Sequence, residues 1–104
     1  MDEVKLFKCL ADGNRMRIIQ LLSERKYCVK ALAKQLGISE PAVSQHMRLL
    51  KETGLVIIGE KNGYNIHYAV NKDKLMELSC IVAEMAEKVQ TERQCGGNCR
   101  KDKK

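Results

Sequence analysis

The chain contains no apolar run long enough to cross a membrane and no glycine-rich phosphate loop. It has two histidines, and the sequence places neither of them to activate a thiol, which makes a small cysteine enzyme a poor interpretation. The opening segment, MDEVKLFKCLADGNR, is amphipathic and of mixed charge, without the apolar stretch of an export signal. These absences argue against membrane insertion, export and catalysis, and they favour a cytoplasmic binding protein.

Length and charge indicate the number of domains and the kind of partner. With 104 residues, of which 44% are hydrophobic, the chain is one domain whose small core would gain stability from a partner subunit. The net charge of +6 suits a polyanionic partner, although many solvated protein surfaces have a similar balance. Charge therefore supports a nucleic-acid partner without identifying it.

The spacing of apolar residues predicts four helices in the first half of the chain. The first covers residues 2–11, and the second begins after an interruption, with Asn14 as its predicted N-cap. The third covers residues 29–36, and the fourth is capped by Ser39 and ends at residues 53–54. The last two helices are separated by only three residues.

The second half predicts a hairpin followed by a long helix. β-branched and aromatic residues at 55–58 and 66–70 indicate two strands, and Asn62-Gly63 is a strong turn signal between them. Residues 73 to about 92 return to helical spacing with one apolar stripe. We therefore expect a mainly α fold with a β-hairpin, in the order α-α-α-α-β-β-α, over residues 1–93. Residues 94–104 are expected to be a flexible basic tail that contains two cysteines.

Two short helices broken at residues 37–39 have the layout of a helix-turn-helix that reads double-stranded DNA. Taken alone, the second helix could equally be an ordinary amphipathic surface helix, but the preceding helix and the hairpin favour DNA. Glutamine can pair with an adenine edge, arginine with guanine or phosphate, and serine with phosphate oxygens. The candidate DNA-binding residues are Ser39, Ser44, Gln45, His46, Arg48, Lys51, Lys61 and Asn62.

From Phe7 to Val70 the chain resembles the ArsR/SmtB family of winged-helix repressors. LFKCLADGNRMRIIQLL is similar to the family's opening helices, GISEPAVSQHMRLLKETGLV to its recognition segment, and the hairpin to its wing. The resemblance implies a homodimer built by the first and last helices, which binds operator DNA and releases it when an inducer, usually a metal or metalloid ion, is bound. Gly13-Asn14 departs from the family's usual proline and small polar residue, which affects the geometry of one turn.

The five cysteines are the candidates for an inducer site. Cys95 and Cys99 form a Cys-x3-Cys pair in a segment without apolar residues, so we favour ligation of a thiophilic ion there. Thiolates select Zn, Cd and Cu(I), and by the same softness trivalent arsenic or antimony. A third sulfur could come from Cys28, Cys9 or the other subunit. Cys28 resembles one half of the family's Cys-Val-Cys motif, with Lys30 in place of the second cysteine, but an inert packing role is an equally good interpretation.

Cys9 and Cys80 are predicted to pack at a dimer interface rather than to bind an ion. The last helix contains no histidine, so the family's zinc- or cobalt-type site is absent by residue type. The sequence thus favours a repressor that a thiophilic ion, with arsenite the preferred candidate, releases from DNA. The alternative is the same repressor with a redox switch, in which cysteines form a disulfide or a persulfide.

Overall fold

The computed structural model describes residues 3–89, and within them it has five helices and one antiparallel hairpin. The elements are α1 (Glu3–Leu10), α2 (Gly13–Leu22), α3 (Val29–Leu36), α4 (Glu40–Glu52), β1 (Val56–Asn62), β2 (Asn65–Val70) and α5 (Lys72–Glu87). The predicted winged helix-turn-helix order is confirmed. The predicted tail of residues 94–104 lies outside the described residues.

Side-chain caps mark where α2, α4 and α5 begin, and the caps of α2 and α4 test the predictions. Asp12, not Asn14, caps α2, because its carboxylate accepts hydrogen bonds from the amides of Asn14 and Arg15 at 3.0 and 3.1 Å. The prediction of Asn14 as the cap was therefore wrong: its own amide is one of the first-turn donors that the cap satisfies. Ser39 caps α4 as predicted, with its hydroxyl accepting a hydrogen bond at 3.2 Å from the amide of Ala42.

The turn between α3 and α4 depends on Gly37. This residue has a φ of 69°, a left-handed conformation that glycine adopts without a Cβ clash. Its amide and that of Ile38 donate to the carbonyl of Ala33 at 2.9 and 3.2 Å, which satisfies the end of α3. Only three residues then separate the end of α3 from the start of α4.

The hairpin is longer than predicted and its turn lies one residue later. Strand β1 continues to Asn62 and strand β2 begins at Asn65, which leaves Gly63-Tyr64 as the turn. Gly63 has a φ of 59° and Tyr64 has no positive φ, the sign pattern of a type II′ turn. Gly59 is an extra residue in β1, where the pairing shifts between Ile58 and Glu60.

A single apolar core holds the helices and the hairpin together. Among the described residues no polar or charged residue is buried. The largest fully buried side chains are Leu6, Ile18, Leu32, Val43, Met47, Leu50, Leu55 and Val56. Three of them lie on α4 at positions that repeat every three to four residues, so one face of this helix is fixed in the core and the opposite face is left to solvent.

Helix α5 buries little of its apolar surface within this chain. Leu78 is buried, whereas Met76, Val82 and Met85 are 52%, 48% and 58% exposed. The helix packs against α1. Within residues 3–89 no helix is both long and apolar enough for a membrane span.

Candidate nucleic-acid interface

The solvent face of α4 carries polar side chains that can reach a base edge. Ser44, Gln45 and Arg48 are exposed, on the side away from the buried Val43 and Met47. The Arg48 guanidinium donates a hydrogen bond to the Gln45 amide oxygen at 3.4 Å. The two longest polar groups are therefore adjacent on the helix surface, where they could contact neighbouring base pairs.

Positive charge flanks the start of α4. Lys30 and Lys34 are exposed on α3, and with Ile38 and Glu40 they line a shallow cavity of about 350 Å³ beside the capping residue Ser39. The first helix of a helix-turn-helix crosses the phosphate backbone, where lysine ammonium groups bind favourably. These two lysines were not among the predicted DNA-binding residues, although their position on the exposed side of α3 is a signal that could have found them.

Lys51 connects the end of α4 to the base of the wing. Its ammonium nitrogen lies 5.7 Å from the centroid of the Tyr68 ring, within range of a cation–π contact. Tyr68 is itself a core residue on β2, only 8% exposed. Lys51 remains exposed, so it can hold the wing and still present its charge to a phosphate.

The wing presents its polar residues near its tip. Lys61 and Asn62 are exposed at the end of β1, directly before the Gly63-Tyr64 turn. Tyr64 is fully exposed. The tip of the wing lies near the start of α4, since Tyr64 and Glu40 line the same cavity.

His46 lies elsewhere than the other candidates. Its side chain is only 18% exposed, and its Nδ1 atom is 3.3 Å from Arg15 Nη1 and 4.0 Å from Asp12 Oδ2. It occupies the contact between α4 and the start of α2, so we exclude it from the proposed reading surface. The helical wheel put His46 at the edge of the apolar face, and only the contact with Arg15 decides on which side it falls.

The carboxylate beside His46 is held in its charged form. The Arg15 amide that donates to Asp12 lowers the pKa of this carboxyl below its usual range. Desolvation opposes that effect, while the charge of Arg15 and the amide of Asn14 act in the same direction as the first hydrogen bond.

The described cysteines lie in three different environments. Cys28 is the N-cap residue of α3, is partly exposed, and lines a cavity of about 310 Å³ between α3 and the wing. Cys80 is exposed on α5. Cys9 has the predicted packing role, but within its own chain rather than at a subunit interface, because its sulfur is buried near Thr53 at the end of α4. Cys95 and Cys99 lie outside the described residues.

Comparison with known proteins places these features in one family. Residues 12–57 match the family described as "Bacterial regulatory protein, arsR family". The arsenical resistance operon repressor of Escherichia coli (strain K12) is 42% identical over 69 residues, which cover 65% of this chain and 58% of that repressor. The arsenical resistance operon repressor of Staphylococcus aureus is 32% identical over 79 residues, covering 73% of this chain and 76% of that one. The chain belongs to the ArsR family.

A solved structure of the ArsR type has the same fold. It is the homodimeric winged helix-turn-helix DNA-binding domain of Mb0332 from Mycobacterium bovis, a possible ArsR-family transcriptional regulator. The TM-score is 0.67 at 25% identity, over 90% of this chain and 88% of that one. The ArsR-family relatives are DNA-binding regulators, which excludes the enzyme interpretation.

Two of these relatives are named as arsenical resistance repressors, so the described side chains were compared with the needs of an ion site. A thiophilic ion needs several donors that converge on one point. Within residues 3–89 no group of three or more histidine, cysteine, aspartate and glutamate side chains could hold a metal ion.

Proposed function

We propose that this ArsR-family chain is a homodimeric transcriptional repressor that acts in the cytoplasm and binds double-stranded operator DNA. The observation that carries the proposal is the division of α4 into two faces. Val43, Met47 and Leu50 anchor the helix in the core, whereas Gln45 and Arg48 project together into solvent. A helix held rigidly on one side and polar on the other can enter a major groove without rearranging the fold.

The proposed contacts divide into base readout and backbone positioning. Gln45 and Arg48 read base edges, while Ser44 contacts either a base or a phosphate. Phosphates are bound by Ser39, by Lys51 and by the two lysines of α3, and Lys61 and Asn62 place the wing on the flanking DNA. The exposure of each of these side chains supports its assignment.

The proposed dimer uses α5 together with α1. Met76, Val82 and Met85 form apolar surface that this chain leaves exposed, and α1 packs beside it. A second copy of the chain would cover this surface and bring two α4 helices to one DNA molecule, about 34 Å apart for successive half-sites. The similar Mycobacterium bovis domain is homodimeric, which supports this arrangement.

For the inducer, we propose a thiophilic ion bound through Cys95 and Cys99, with Cys28 as a candidate third ligand and arsenite or antimonite as the preferred ions. The support is the softness of thiolates and the arsenical resistance role in the names of two relatives. Zn, Cd and Cu(I) are the other ions of suitable chemistry. A second candidate is a redox switch that forms a disulfide or a persulfide; the partial exposure of Cys28 favours its access to an oxidant.

The test is a mobility shift with DNA from upstream of the chain's own transcription unit, compared with a scrambled duplex. Specific binding that arsenite abolishes, and that persists in arsenite for the Cys95→Ser, Cys99→Ser double variant, supports the full proposal. Equal binding to both duplexes contradicts a sequence-specific repressor. A double variant that still responds to arsenite excludes the tail pair. Mass spectrometry after treatment with an oxidant, or with a polysulfide as the sulfur donor, detects the disulfide or the persulfide that only the redox switch forms.

A further inference from the structure

We propose that Arg15 and His46 are positioning residues, which fix the orientation of the recognition helix α4 by linking it to the end of α1. The proposal rests on the proposed DNA-binding function and adds two residues that need not touch DNA. It concerns a polar bridge between three helices, formed by the carbonyl of Cys9, the guanidinium of Arg15 and the imidazole of His46.

Arg15 is the centre of the bridge. It lies on α2, and its Nε donates a hydrogen bond at 2.6 Å to the carbonyl oxygen of Cys9 on α1. Its Nη1 lies 3.3 Å from Nδ1 of His46 on α4. A guanidinium has donors but no acceptor, so Nδ1 of His46 is the acceptor in this contact. The Arg15 side chain thus joins α1, α2 and α4.

Asp12 lies beside the bridge and supplies a negative charge near Arg15. Its carboxylate accepts two amide hydrogen bonds in the first turn of α2, which fixes it, and it lies 4.0 Å from His46 Nδ1. The negative charge favours the cationic Arg15 guanidinium at this position. The Arg15 guanidinium is thus fixed by its hydrogen bond to α1 and lies near a negative charge where it contacts α4.

A second contact joins α1 to α4, and it also involves Cys9. The Thr53 hydroxyl is 3.9 Å from the Cys9 sulfur and donates to the carbonyl of Leu50 at 2.9 Å. Thr53 is the C-cap residue of α4, seven residues after His46 and roughly 10 Å along the helix axis. Two contacts separated by about two turns restrain the tilt of α4 as well as its position.

Besides the contact between Lys51 and Tyr68, the remaining attachment of α4 is apolar. Val43, Met47 and Leu50 set which side of the helix faces the core, but apolar burial is less directional and fixes the rotation of the helix less closely. Hydrogen bonds do select a direction. Since His46 directly follows Gln45 and precedes Arg48 by two residues, a rotation of α4 at His46 would displace both proposed base-reading groups. We therefore expect loss of the bridge to weaken sequence-specific binding more than non-specific binding.

The test compares two substitutions of His46 that place an amide oxygen at different positions. His46→Asn places an amide oxygen near the position of Nδ1 and can keep the bond to Arg15, whereas His46→Gln places its amide near Nε2 and cannot. Arg15→Lys keeps the charge and removes the fork that joins Cys9 to His46. Affinity for the operator and for a scrambled duplex is measured for each variant by fluorescence anisotropy at one salt concentration, and thermal unfolding is recorded in parallel.

The expected result is a loss of about tenfold in operator affinity for His46→Gln and Arg15→Lys, the equivalent of roughly one hydrogen bond. Their affinity for the scrambled duplex should change less than about twofold, and His46→Asn should bind both duplexes like the wild type. If His46→Gln unfolds, the same two affinities of Arg15→Lys are compared with those of the wild type. A wild-type protein without operator preference overturns the proposed function and this inference together. The positioning role alone is overturned if the wild type prefers the operator and the variants either keep that preference or lose affinity for both duplexes equally.

Discussion

The Arg48 guanidinium and the Gln45 amide lie one turn apart on α4 and are joined by a hydrogen bond of 3.4 Å. The bond is exposed to solvent, so it contributes little to stability, but it brings together two groups that have different base preferences. It would be exchanged for bonds to base edges when the helix enters a groove. This pair is therefore where changes should affect sequence preference most directly.

Arg48→Ala should reduce affinity for the operator by about 1–3 kcal/mol and relax the preference at one base pair. The reason is the loss of a forked donor that can pair with guanine. Anisotropy titrations against a set of single-base operator variants measure this effect, with Glu24→Ala as an exposed control outside α4. A loss that is uniform across all duplexes would show that Arg48 binds a phosphate instead.

Substitution of Lys30 and Lys34 by Gln should weaken binding to all duplexes by a similar factor. Each lysine that binds a phosphate releases a counterion, so the slope of log affinity against log salt should fall by about 1 for each such lysine replaced. Titrations at several salt concentrations give this slope. The control is Lys88→Gln at the end of α5, which removes one positive charge away from α3. If the Lys88 variant changes the slope as much as the α3 variants, the α3 surface does not bind the phosphates.

Met85→Lys should convert the protein to a monomer. The substitution introduces a charge into the exposed apolar surface of α5, which a second subunit is proposed to cover. Glu84→Lys is the control, because it adds the same side chain at the adjacent exposed position, which the sequence places away from the apolar stripe. Sedimentation velocity distinguishes the two species, and a dimeric Met85→Lys protein would exclude this part of α5 from the interface.

Asp12 should make a pH-dependent contribution to stability. Its pKa is lowered in the folded protein, so its contribution is fully present above its ordinary value of 3.8 and is lost as the pH falls through the folded value. Asp12→Asn keeps an N-cap oxygen and removes the charge, whereas Asp12→Ala removes both. Urea unfolding should show the alanine variant less stable than the asparagine variant at pH 7.

The same experiment at low pH isolates the charge. The difference between the wild type and Asp12→Asn should shrink between pH 5 and pH 3, because protonation of Asp12 removes the interaction that asparagine lacks. A difference that stays constant over this range would show that the Asp12 charge does not contribute.

The winged helix-turn-helix and its reading helix could be predicted because their signals are local. Ser39 caps α4 through a bond within one turn, Gly37 adopts a left-handed conformation in the short turn before it, and apolar residues repeat at helical spacing. Each of these depends on residues only a few positions apart in the chain. The same locality explains the one-residue error at the turn, since Asn62-Gly63 and Gly63-Tyr64 are both acceptable turns and pairing of the whole strands chooses between them.

The tertiary structure decided which way the ambiguous side chains face. His46 lies at the border of the apolar face of α4, and its contact is with Arg15, 31 residues away; Cys9 packs near Thr53, 44 residues away. No local pattern encodes such contacts, because they depend on how α1, α2 and α4 pack around the shared core. The sequence by itself therefore determined the elements, the reading helix and the family resemblance, and only the packing of those elements showed that His46 faces the protein and that Cys9 lies inside it.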